Sequence, residues 1–180
     1  FFGYHWPDAI AWAAEHPRIN LTIKLAYMTT GPQMALLVVI LLLSGRAREL
    51  HVMLVTVSIT SVFVLVFWGI FPTHGAKSLF TVPAEIEAMA DPVVTTEYGR
   101  ELVRMALEGP GFLSPTEIKG LIAFPSYHAV LAFLAMYSAR GIKWLFPFML
   151  VTNLLILPGC LLHGGHHLID VPAGLAVFLA

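Results

Sequence analysis

The chain has 180 residues, of which 58% are hydrophobic and only 12% charged, with a mean hydropathy of +0.80 and a formal net charge of −1. So little charge excludes an ordinary water-soluble domain and selects an integral membrane protein whose first partner is the lipid bilayer. No basic patch or aromatic-spaced basic stretch points to nucleic acid, and none is expected as a partner; one cysteine, Cys160, excludes an internal disulfide and any cysteine-rich metal centre.

Residues 1–18, carrying Trp6, Asp8, Trp12 and Glu15, read as an interfacial amphipathic segment. Crossing the hydrocarbon core takes about 20 apolar residues, and five stretches have that character. They are Leu21–Leu43, kinked near Gly31-Pro32; His51–Phe71, closed by Trp68 and Pro72; Leu121–Ala139; Trp144–Leu162; and a stretch from Gly165 to Ala180. Phe1 is not an initiator methionine and Ala180 lies inside an apolar run, so one membrane-embedded domain extending beyond both ends is expected.

A long polar stretch, Thr73 to Gly120, separates the second and third spans. Glu85–Ala90 and Glu97–Leu107 are expected to be short amphipathic helices, and Ser114-Pro115-Thr116-Glu117 has the form of a helix start. Arg46 and Arg48 join spans one and two, and Arg140 and Lys143 join spans three and four, which makes that side cytoplasmic. The long loop sets four cations (Lys77, Arg100, Arg104, Lys119) against seven acids (Glu85, Glu87, Asp91, Glu97, Glu101, Glu108, Glu117) and belongs outside. The starts of spans three and five then share the outer face.

Two polar clusters open those spans: Pro125-Ser126-Tyr127-His128 and Gly164-Gly165-His166-His167-Leu168-Ile169-Asp170. Ionisable groups inside membrane segments are costly and mark function. His166 and Asp170, four apart, share one helix face. Cleaving a phosphate ester with histidines needs one neutral imidazole to attack phosphorus and a second to protonate the leaving oxygen. A carboxylate behind the nucleophile fixes its tautomer. Ser126 and backbone N–H groups near Gly164-Gly165, at an expected helix N-terminus, would hold phosphate oxygens.

Phe124-Pro125-Ser126-Tyr127-His128-Ala129 and Gly165-His166-His167-Leu168-Ile169-Asp170-Val171, followed by Ala173-Gly174, resemble the second and third motifs of the type-2 phosphatidic acid phosphatase superfamily. The form is closest to its inositol-phosphorylceramide-synthase-like branch. The resemblance implies an all-α membrane bundle of six helices, five of them visible here. It implies a metal- and cofactor-free enzyme that cleaves lipid phosphates through a phosphohistidine. By position, His166 resembles the nucleophile, Asp170 its partner, His128 the acid for the leaving group and Ser126 a phosphate ligand.

Two departures stand out. Cys160 occupies the place of an arginine six residues before the nucleophile, and no lysine is followed seven residues later by Arg-Pro; after Lys77 that place holds Ala84. Lys77, Arg104 and Lys119 are therefore the candidate phosphate cations, Gly165 gives close backbone approach, and Tyr127 is a candidate for shaping the headgroup pocket. His163, His166, His167 and Asp170 could instead be ligands for zinc, but Gly164-Gly165 breaks the helix between them, so no metal is assigned. The expected function is a lipid phosphatase or phosphotransferase, in a bacterial inner membrane with its site facing outward. The alternatives are a headgroup transferase of the branch named above and a non-catalytic lipid-binding protein on the same fold.

Overall fold

The computed structural model describes residues 3–95, 104–105, 107–109 and 122–180, and these contain helices and no strand. The helices are α1 (Trp6–Glu15), α2 (Pro17–Met28), α3 (Thr30–Leu43), α4 (Ala47–Ile70), α5 (Ala76–Leu79), α6 (Ala84–Ala90), α7 (Tyr127–Ala139), α8 (Phe146–Leu162) and α9 (Asp170–Leu179).

The five spans expected from hydropathy do not appear as five full-length helices. Among the described residues only α4, at 24 residues, is by itself long and apolar enough to cross a membrane. The first expected span is two helices, α2 and α3, bent by 49° at Thr29, just before Gly31-Pro32. The remaining three are shorter apolar helices of 13, 17 and 10 residues. Hydropathy counts apolar residues whether or not they are helical, and Ile122–Ser126 are not.

α7 lies at the centre, packed on α3, α4, α8 and α9, while α2 lies along α8. One apolar cluster, including Leu37, Leu41, Met53, Leu134, Leu145 and Met149, fills the bundle near its basic loops. Those loops meet: Arg46 donates to the Gly141 carbonyl at 2.6 Å. Midway, Gln33 donates to Thr29 and accepts from Asn153, both at 2.7 Å, tying the α2–α3 bend to α8. Such interhelical polar bonds hold bundles together where apolar burial alone would not discriminate.

The N-terminal segment is more than a surface float. Trp6, Ile10, Ala13 and Ala14 are buried against α5, α6 and the end of α8, and Trp6 Nε1 donates to the Leu161 carbonyl at 2.9 Å. Of the long loop, α6 matches its expected position; Ser114–Glu117 and most of Glu97–Leu107 lie outside the described residues.

Candidate active site

At the end of the bundle away from the basic loops, three chain segments converge: the turn before α5, the entry to α7, and the α8–α9 connection. Small residues make the convergence possible. A Cβ on Gly75 would lie 2.5 Å from the Gly165 carbonyl oxygen, and one on Gly174 would lie 2.6 Å from that of Ser126. The Ser126 N–H donates to the Asp170 carbonyl at 3.0 Å, so the two motifs are joined through their backbones.

The imidazole of His166 is buried and its orientation is defined. Its Nδ1 lies 2.8 Å from the Ala123 carbonyl oxygen and 3.2 Å from Asp170 Oδ2. A carbonyl can only accept, so Nδ1 carries the proton and Nε2 keeps its lone pair. The Ser126 hydroxyl is 3.3 Å from that Nε2 and donates to it. Asp170, 1% exposed, is itself held by the His167 N–H, which donates to Oδ2 at 2.8 Å. The ring is therefore held in one orientation, with a carboxylate behind Nδ1 and Nε2 facing Ser126.

His128 stands one position into α7, close enough to interact electrostatically with His166. The ring of Tyr27 stacks on it, with centroids 4.4 Å apart and planes at 22°. The Tyr27 hydroxyl lies 3.4 Å from His128 Nδ1.

Other expectations change. Tyr127 turns away from the site: its hydroxyl is 2.5 Å from Ser61 Oγ and donates to the Val57 carbonyl at 3.1 Å, so it anchors α7 to α4. Adjacent helical residues point about 100° apart, so Tyr127 and His128 cannot share a target. Gly164-Gly165 are not at a helix N-terminus. They follow the C-terminal end of α8, where the Gly164 N–H is taken by the Gly159 carbonyl at 3.1 Å. That end carries partial negative charge, and α9 starts only at Asp170. The expected helix N-terminus at these glycines is therefore absent.

Cys160 is fully buried and its thiol lies against Ser126, a neutral group where the resemblance implies an arginine. Lys77 is a cation that the structure packs against Gly165, next to His166 in the chain. It is 2% exposed, and its stem crosses Gly165 so tightly that a Cβ there would lie 2.6 Å from Lys77 Cδ. Gly165 also has φ of +63°, a conformation that favours glycine. Burial draws the Lys77 amine down to about 7. Arg104 forms an exposed 3.6 Å pair with Glu108, and Lys119 lies outside the described residues. Among the described residues, no group of three or more histidine, cysteine or acidic side chains gathers as a metal site.

A family model for the PAP2 superfamily matches residues 1–180. The chain belongs to the PAP2 superfamily. Members of the PAP2 superfamily are phosphatases or phosphotransferases. No curated protein and no solved structure gives a match.

Sequence reasoning passed over two PAP2-site groups here: the Ala123 carbonyl and Tyr27. The carbonyl has no sequence signal. Tyr27 had one, since Asn20, Lys24 and Tyr27 form a polar stripe at helical spacing on an apolar segment.

Proposed function

We propose that this protein is a membrane lipid phosphatase or phosphotransferase working through a phosphohistidine at His166. The observation that carries the reading is the fixed tautomer of His166, with Nδ1–H on Asp170 and the Ala123 carbonyl and Nε2 left as an acceptor facing the Ser126 hydroxyl. Nε2 attacks phosphorus, the ester P–O bond breaks, and His128 gives its proton to the departing alkoxide. Water, deprotonated by His128, then attacks the phosphohistidine and releases phosphate and free His166. A lipid alcohol in place of water would give headgroup transfer, and the form of the two motifs favours the inositol-phosphorylceramide-synthase-like branch. Substrate phosphate would be bound by Ser126, Gly165 and Lys77, with Arg104 and Lys119 as further cations.

The apolar helix α4, and the bent α2–α3 pair counted as one span, support a membrane setting, and we place the protein in a bacterial inner membrane. The contact of the two basic loops supports placing them together on the cytoplasmic side, with the histidines facing outward.

The test is to mix purified protein with ³²P-labelled phosphatidate in detergent micelles, quench rapidly, and look for acid-labile, alkali-stable label on the protein. Turnover with no such label would overturn the phosphohistidine route, and no release or transfer of label would overturn the activity.

Lys77 adds a pH dependence. An amine drawn down to about 7 is charged below that pH and neutral above it. Bound phosphate favours the charged form, so kcat/KM is expected to fall about tenfold per unit as pH rises above 7. Lys77→Met should lower kcat/KM and make that alkaline limb shallower, leaving the fall that comes from loss of the His128 proton. An unchanged limb in the variant would remove Lys77 from phosphate binding.

A further inference from the structure

Tyr27 comes from a helix that carries none of the PAP2 motif residues, yet it is built into the site more closely than packing requires. Its side chain is buried, its ring covers one face of His128, and its hydroxyl faces Nδ1 at 3.4 Å. Space is kept for it at two places. A Cβ on Gly159 would lie 2.9 Å from Tyr27 Cβ, and one on Gly164 would lie 3.0 Å from the Tyr27 hydroxyl and 2.7 Å from a carbon of the His166 ring. The α2–α3 bend follows directly, with Thr30 Oγ1 donating to the Tyr27 carbonyl at 2.8 Å. α2 is thereby held in the position that brings the phenol to His128.

We infer that Tyr27 is a positioning residue for His128, fixing the ring so that Nε2 is the nitrogen that delivers the proton to the departing oxygen. This rests on the phosphohistidine reading above. A hydroxyl can donate or accept. In the imidazolium, Nδ1–H donates to the Tyr27 oxygen and Nε2–H faces the leaving group. When the P–O bond breaks, the Nε2 proton passes to the alkoxide, and neutral His128 keeps its Nδ1 proton on Tyr27. Nε2 is then free to take a proton from the incoming water, which restores the imidazolium. The two histidines differ in what stands behind them. A carboxylate stabilises positive charge on His166 and suits a nucleophile, whereas a neutral phenol leaves His128 the readier proton donor.

The test compares kcat/KM, which reports the steps through departure of the leaving group, for two probes. Phosphatidate releases a poor alkoxide that needs a proton; 4-nitrophenyl phosphate releases a phenolate that does not. General acid catalysis contributes about 10²–10⁴-fold. Tyr27→Phe, which keeps the stacked ring, should lower kcat/KM for phosphatidate by about tenfold or more and leave 4-nitrophenyl phosphate within about twofold. In a His128→Ala background the same substitution should cost nothing further, since residues acting as a unit are not additive. Equal losses on both probes, no loss on either, or full additivity with His128→Ala would overturn the assignment of Tyr27 alone. Wild-type protein that turns over neither probe, or His166→Ala that keeps both activities, would overturn the phosphohistidine reading and this inference with it.

Discussion

Replacing His166 by alanine is expected to abolish turnover, lowering kcat by about four to six orders of magnitude, as loss of a covalent nucleophile does elsewhere. Asp170 is buried behind the ring, and His167 contributes its backbone N–H to that carboxylate. The fold should survive, because the backbone strap from Ser126 to Asp170 does not involve the imidazole. Added imidazole should restore part of the activity by occupying the space left behind. A variant retaining more than about 1% of wild-type turnover would place the nucleophile elsewhere.

Asp170→Asn is the second large effect. The two oxygens of the carboxylate are not equivalent: Oδ2 accepts both from the His167 N–H and from His166 Nδ1–H. An amide oxygen in that place can accept both bonds but carries no charge, and with the amide turned the other way its NH₂ group would oppose Nδ1–H. Without the charge, the cationic ring formed as phosphorus bonds to Nε2 loses its stabilisation. An oriented His–carboxylate pair treated this way loses roughly 10⁴ in kcat. The expected loss here is smaller, about 10²–10³, because the Ala123 carbonyl at 2.8 Å still holds the Nδ1 proton and preserves the tautomer. Rapid-quench measurement of phosphoenzyme formation checks this directly. A loss below about threefold in that step would mean that the carboxylate only supports the fold.

The site was legible in the sequence where its signal is local. His166 and Asp170 are four apart, although they pair across the turn before α9 and not on one helix face, Pro125–His128 is one short run, and alternating loops of opposite charge bring the two runs to one end. Tyr127 was wrongly assigned to the headgroup pocket, although a side chain adjacent to His128 on a helix must face elsewhere. Tyr27 was marked only by its place in the Asn20–Lys24–Tyr27 stripe, which does not name its partner; tertiary packing sets it against His128, 101 positions away. The role of Gly164 was misread because a glycine pair before an apolar run fits a helix start as well as a helix end. The structure decides it by spending the Gly164 N–H on the Gly159 carbonyl. Helix lengths were the least legible part. Leu121–Phe124 are as apolar as a span interior, but Pro125 and the turn carrying Ser126 postpone α7 to Tyr127.

The backbone bond from Ser126 to Asp170, with Gly174 pressed against the Ser126 carbonyl, has a consequence for how such a protein can vary. Neither motif can drift in position or bulk without its counterpart, because a shift of one main chain drags the other. Transplanting the Pro125–His128 run from a relative without its matching Gly165–Gly174 run would misalign serine and imidazole even if every reactive side chain were retained. The unit of inheritance at this site is the pair of turns, not the list of residues.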